Sequence, residues 1–307
     1  MWGGRREGLS ALSGLASITR ANFLPLAIVI VFAGVAAAFY SKHVFNGLDA
    51  VLVLVGAVLT HASVNAFNNY FDYRSGIDRR TMKTPFSGGV ETLVKGGMNP
   101  SSALAVALAS FAGASLVGIY FLTRLFSILF PILVYGGILI VLYTPVLARI
   151  HGLSEIVAGS GFGLMGLGTY VTQTGIIDGA ALAIFVPITI LVALLLFLNE
   201  FPDAEVDKVG GRRHLVILLG KKYSARVYVA GLVATYVSIA LAFLVGYSPI
   251  FVLISFATIP IAYKAGRITL KSYDSKSALI PAQGSNVLVI LLTIALVGLG
   301  YLIATFV

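Results

Sequence analysis

Residues 49–78 read DAVLVLVGAVLTHASVNAFNNYFDYRSGID, an apolar run that turns polar only after Ala62. A helix that crosses a bilayer needs about 20 mostly apolar residues, and this run supplies them before its polar tail begins. In the tail, Asn65, Asn68, Asn69 and Asp72 are spaced by three and four residues and so share one helical face. The stretch therefore predicts a membrane helix with an oxygen-rich tip. The whole chain agrees with it. Of 307 residues 58% are hydrophobic and 11% charged, and the mean hydropathy is +0.97, whereas a soluble domain carries about a quarter charged residues. Long continuous apolar runs favour helices over a membrane β-barrel, whose strands alternate. The absence of Cys excludes disulfides, thiolate metal sites and cysteine nucleophiles.

The apolar runs and their breakers predict an all-α bundle of nine transmembrane helices near 22–40, 49–71, 102–123, 125–147, 153–173, 179–199, 224–245, 248–266 and 285–307. The chain reads as one transmembrane domain over 1–307. Met1–Thr19, which lacks the layout of a cleavable signal, reads as a short interfacial segment. Nine spans place 19 of the 21 basic residues on one side, with only Lys42 and Arg124 opposite. The positive-inside rule makes that side cytoplasmic, with the N-terminus and long loops inside and the C-terminus outside the cell membrane. The +9 charge then needs no nucleic-acid partner. Ten of the twelve acidic residues also fall on the cytoplasmic side, Asp49 and Asp178 being the exceptions. The orientation rule does not account for carboxylates.

A second polar tip closes the sixth predicted helix: residues 197–215 read FLNEFPDAEVDKVGGRRHL. Asn199, Asp203 and Asp207 recur every four residues, with Pro202 set to kink or loosen the turn. Both tips contain Asn-x-x-x-Asp, 131 residues apart, on even-numbered helices that reach the same membrane surface. One such cluster is ordinarily a solvated cap. Two with the same spacing at the same level point to hard oxygen ligands for Mg²⁺, an ion that bridges carboxylates to substrate phosphates. Arg74, Arg79, Arg80 and Lys83 follow the first tip, and Lys208, Arg212 and Arg213 the second. Thr84-Pro85-Phe86-Ser87-Gly88-Gly89 supplies a glycine loop able to approach an anion, although no Walker-type loop is present.

These residues resemble the UbiA-type superfamily of intramembrane prenyltransferases, and within it the 1,4-dihydroxy-2-naphthoate polyprenyltransferases. Asn68-Asn69-Tyr70-Phe71-Asp72-Tyr73 with Ser75-Gly76-Ile77-Asp78, the Thr84–Gly89 loop and Tyr143-Thr144-Pro145 carry the likeness. So do Gly152-Leu153-Ser154-Glu155, Gly166-Leu167-Gly168-Thr169-Tyr170 and the stretch from Asn199 to Leu215. The resemblance implies transfer of a polyprenyl group from its diphosphate to an aromatic acceptor, with two Mg²⁺ ions held by Asn68, Asp72, Asp78, Asn199, Asp203 and Asp207. It places the diphosphate against Arg20, Arg74, Lys83, Arg149, Lys208, Arg212 and Arg213. The prenyl and acceptor pocket is expected from Asn65, Phe67, Phe71, Tyr143, Glu155, Phe162, Tyr170 and Phe197. The first motif departs from the family pattern, with Asn at position 69 and its last acid at Asp78.

Two rivals stand at this point. An ion-coupled transporter also uses intramembrane carboxylates, but near mid-bilayer rather than at helix ends; glycines 159, 161, 163, 166 and 168 would make its helix 5 flexible or close-packed. Among acceptors, hydroxybenzoate and a geranylgeranylglyceryl phosphate compete with a dihydroxynaphthoate. His43, His61, His151 and His214 form no metal pair at helical spacing, and His61 reads as a packed polar residue.

Overall fold

The computed structural model describes residues 12–81, 83–87 and 89–307. Among these the chain is helical with no strand. A short helix over 12–18 precedes α1 (Pro25–Lys42), α2 (Gly47–Ser75), α3 (Pro100–Leu142), α4 (Ser154–Thr174) and α5 (Gly179–Asn199). Then come α6 (Ala204–Val209), α7 (Leu215–Leu219), α8 (Lys221–Leu244), a 3-10 turn (Ile250–Thr258) running into α9 (Ile259–Ser272), and α10 (Lys276–Phe306). Of the interfacial segment expected over 1–19, residues 1–11 lie outside the described residues.

Each end has a local cause. Asn46 caps α2 by accepting from Asp49 N at 3.1 Å, and Asp178 caps α5 by accepting from Ala180 N and Ala181 N. Gly76, with φ 78°, ends α2 in the left-handed conformation that glycine adopts freely. Among the described residues, seven helices are long and apolar enough to cross a membrane. One of them, α3, has 43 residues and a non-helical break at Leu125 (φ −130°, ψ 39°). A Cβ on Gly118 would meet the Leu133 side chain at 3.1 Å. In a straight helix those positions lie about 22 Å apart, so α3 is a hairpin whose arms pack on each other. The split expected at Arg124 is therefore present as a sharp reversal. Helix α4 has 21 residues but is too rich in glycine and polar residues to stand among the seven. The later helices begin or end beyond the expected limits, α10 starting at Lys276 rather than 285. Ser275 caps it by accepting from Ala278 N, so a polar turn that the apolar pattern misses still folds as helix.

The glycines of α4 serve packing. A Cβ on Gly159 would come 2.4 Å from Thr189 O, and one on Gly163 would come 2.0 Å from Thr189 Oγ1. Helices α4 and α5 thus approach more closely than larger side chains allow.

At one end of the bundle the four exceptional charges pair with one another. Lys42 meets Asp178 at 2.9 Å, and Arg124 meets Asp49 at 2.7 Å while lying over the Tyr120 ring. Their place on that side is explained by mutual neutralisation. The opposite end holds the two polar tips.

Candidate active site

The face of α2 that carries Asn65, Asn68 and Asp72 and the end of α5 with the turn after it enclose one cavity of about 240 Å³. All six expected oxygen ligands line it: Asn68, Asp72, Asp78, Asn199, Asp203 and Asp207. The second tip reaches it without remaining one helix. Helix α5 stops at Asn199, residues 200–203 form a turn and α6 follows. Pro202 has no N–H to continue the ladder. Arg212 then joins the two tips. Its Nη2 donates to Asp72 Oδ1 at 2.6 Å and Oδ2 at 2.5 Å, and its Nη1 lies 3.5 Å from Asp207 Oδ2. Positions 140 residues apart in the chain are thereby held by one guanidinium.

Smaller contacts set the rest. Asn68 Nδ2 donates to Asp72 Oδ2 at 3.0 Å and to Thr144 Oγ1 at 3.1 Å. Arg20, left-handed at φ 50° and ψ 55°, donates to Asn68 Oδ1 at 3.1 Å and Asn69 Oδ1 at 3.4 Å. Gln283 of α10 donates to Asn199 Oδ1 at 3.2 Å. Asp78 is buried beneath the glycine loop, where a Cβ on Gly89 would strike its Oδ1 at 2.2 Å. Burial and then the neighbouring charge of Asp72 push the Asp78 carboxyl up to about 6, against which Lys83 at 3.4 Å pulls. Its Oδ2 is buried without a hydrogen-bond partner among the described residues. Five carboxylates line the cavity, and with Asn68 and Asn199 the four aspartates among them form a hard, anionic donor set that suits Mg²⁺.

Of the other expected residues, Arg20, Asn65, Tyr143 and Phe162 line the cavity, and Lys83 reaches it through Asp78. Several lie elsewhere. Arg74 is exposed and rests on the Tyr70 ring, and Arg149, Lys208 and Arg213 are also exposed and away from the cavity. Phe67 and Phe71 stack on each other, with Phe67 packed into a cluster with Ile18, Ala103 and Ala107. Phe197 is core, edge-on to Phe201. Tyr170 bonds to Ser41 and Asp178 at the far end of α4, about 22 Å along the helix from Glu155. Glu155 accepts from Leu215 N at 2.7 Å and Ser154 Oγ at 2.8 Å, which ties the start of α4 to α7. It is a brace, not a wall.

Two ionisable lining residues, Glu200 and His61, lie outside the expected set. Glu200 falls off the four-residue spacing of its tip, yet it lines the cavity. Burial, and next the charge of Glu155, push its carboxyl well above the usual range. Its Oε2 lies 3.6 Å from His214 Nδ1, and His214 Nε2 lies 3.3 Å from Asp207 Oδ2. His61 also lines the cavity, and it had a legible signal: positions 61, 65, 68 and 72 share one face of α2.

Residues 27–287 match the model of the UbiA prenyltransferase family. The chain belongs to that family. A 1,4-dihydroxy-2-naphthoate octaprenyltransferase of Bacillus subtilis (strain 168) is 31% identical over 253 residues, 79% of this chain and 78% of the relative. An apo UbiA homologue from Aeropyrum pernix K1 shares the fold with TM-score 0.71 at 18% identity, over 91% of this chain and 97% of that one. A UbiA homologue from Archaeoglobus fulgidus, bound to DMAPP and Mg²⁺, superposes with TM-score 0.66 at 17% identity, over 94% and 98%. This UbiA-family chain is thus an integral membrane enzyme that transfers prenyl groups. The carrier reading falls.

Proposed function

We propose that the protein transfers a polyprenyl group from its diphosphate, with Mg²⁺, to an aromatic acceptor of the dihydroxynaphthoate type. The observation that carries this reading is the single cavity lined by both oxygen-rich tips and spanned by Arg212. The B. subtilis relative supports the naphthoate acceptor, and the DMAPP and Mg²⁺ of the A. fulgidus homologue support the donor and the ion.

Asn68, Asp72, Asp78, Asn199, Asp203 and Asp207 would hold Mg²⁺, most simply as two ions. An ion held there would supply positive charge against the leaving diphosphate. Arg212, Arg20 and Lys83 add fixed positive charge around the same anion. The apolar wall below, from Phe23, Leu26, Tyr143, Phe162 and Met165, excludes water. Its aromatic faces favour the allylic cation. A neighbouring apolar cavity of about 440 Å³ lies between α2, the α3 hairpin and α4, and shares Thr60, Gly136, Ile140, Gly161 and Met165 with the site. It accommodates the isoprenoid tail.

We place the protein in the cell membrane as one domain over 1–307 with nine crossings. The α3 arms count separately and α4 is the ninth, with the N-terminus and site cytoplasmic and the C-terminus outside. Purified protein with a polyprenyl diphosphate, Mg²⁺ and a panel of dihydroxynaphthoate, hydroxybenzoate and geranylgeranylglyceryl phosphate tests the reading. A prenylated naphthol and released pyrophosphate are expected. Turnover of the glyceryl phosphate alone would overturn the aromatic assignment.

A further inference from the structure

His61 is an imidazole in the reaction cavity to which no other described residue hydrogen-bonds. It is 5% exposed, its buried Nδ1 has no hydrogen-bond partner, and the ring stands edge-on to Phe162 with centroids 4.8 Å apart. An unpaired polar group in an apolar wall costs stability, so its retention calls for a bound group that satisfies it. The isoprenoid tail offers no hydrogen bond. A hydroxyl on an aromatic acceptor does. The position along α2 is right for one: His61 precedes Asn68 by seven residues, a rise of about 10 Å from the tip that receives the diphosphate. That distance accommodates the prenyl C1, a reacting ring carbon about 3–3.5 Å away and a ring hydroxyl beyond it.

We propose that His61 is a catalytic residue that accepts the hydroxyl proton of a hydroxyaromatic acceptor, an assignment that rests on the aromatic acceptor proposed above. The ring's π pair forms the new C–C bond to the prenyl C1, and the C1–O bond gives its electron pair to the diphosphate. As the ring becomes a ketone its O–H proton passes to the imidazole. Loss of the carboxyl group as CO₂ from the alkylated carbon returns an electron pair to the ring. The imidazolium then gives the proton back to the oxygen, restoring the aromatic hydroxyl.

The test compares wild type, His61→Leu and His61→Gln in detergent, using dihydroxynaphthoate and its hydroxyl-methylated ether as acceptors, with melting temperatures recorded for each. Wild type is expected to use the free hydroxyl and to discriminate strongly against the ether. His61→Leu should lose about 100-fold or more in kcat/KM for the acceptor, keep the KM for prenyl diphosphate, and treat the two acceptors nearly alike. His61→Gln should recover acceptor KM but not kcat, because an amide bonds the hydroxyl without taking its proton; it decides the matter if the Leu variant does not fold. Wild-type turnover of the free hydroxyl with unchanged acceptor preference in a folded variant overturns the role of His61 alone. A wild type that prenylates no hydroxyaromatic acceptor overturns the acceptor assignment, and this role with it.

Discussion

Arg212 is the side chain whose removal tests the join between the two tips most sharply. It is four-fifths buried and faces two carboxylates, Asp72 and Asp207, whose side chains are 8% and 3% exposed. Deleting one partner of a buried ion pair costs about 3–5 kcal/mol, because the remaining charge has lost both water and its counter-ion. The short contacts of Nη2 to both Asp72 oxygens argue for the upper part of that range, and the residual exposure of Arg212 for the lower. Arg212→Ala is therefore expected to cost about 3 kcal/mol, with most of the loss restored by a divalent cation that takes over the neutralisation. A ligand at 100 times its Kd stabilises by about 2.7 kcal/mol, so saturating Mg²⁺ suffices. Thermal unfolding of detergent-solubilised wild type and variant, each across a Mg²⁺ series, measures both quantities. The Mg²⁺-induced shift should be larger in the variant than in wild type. Equal melting temperatures without Mg²⁺, and equal shifts with it, would refute the idea that this guanidinium holds the site's negative charge together.

Other perturbations separate the site from its supports. Asp72→Ala and Asp203→Ala should each abolish turnover, below 1% of wild type by product mass, while the protein stays folded and monodisperse on size exclusion. Arg74→Ala and Arg149→Ala, both on the surface, should change the KM for prenyl diphosphate by less than about threefold, since exposed charges contribute weakly. Tyr170→Phe removes hydrogen bonds to Ser41 and Asp178 at the far end, so it should cost about 1 kcal/mol of stability and leave kcat and both KM values as they were. Gly163→Ala would push a Cβ into Thr189 and Phe185. It should lower the melting temperature by the equivalent of about 1–3 kcal/mol, with Thr189→Ser unable to rescue it because serine keeps the clashing hydroxyl oxygen and Phe185 remains in the way.

The parts of this protein that sequence makes legible are those with a period. Apolar runs delimit α1, α2 and α5 to within a few residues, because burial in lipid demands a continuous apolar helix. The tips are legible because Asn68 and Asp72, like Asn199 and Asp203, keep four-residue spacing, and the sorted Lys and Arg place both on one surface. Information carried only by tertiary packing is hidden. Glu200 breaks the spacing of its tip but enters the cavity, since the chain leaves helical geometry at the turn before Asp203. Tyr170 belongs to the same motif-bearing helix as Glu155, yet the helical rise sends it to the opposite end. Phe67 and Phe197 sit beside ligand positions in sequence, but their neighbours on the helix face the cavity and they face the core. His61 was within reach, sharing a face with Asn65, Asn68 and Asp72; what could not be read was that no other described residue would hydrogen-bond to it.

The central claim is that residues from both tips hold one Mg²⁺-diphosphate. Its most direct test is a double-mutant cycle on Asp72→Asn and Asp203→Asn, read as the Kd of a non-hydrolysable prenyl diphosphate analogue at fixed Mg²⁺. Side chains that share a ligand should give a coupling energy of about 0.5–3 kcal/mol, the double variant binding far better than the sum of the single losses requires. Losses that add to within about 0.5 kcal/mol would mean that the two carboxylates act on separate ligands, and would contradict the account.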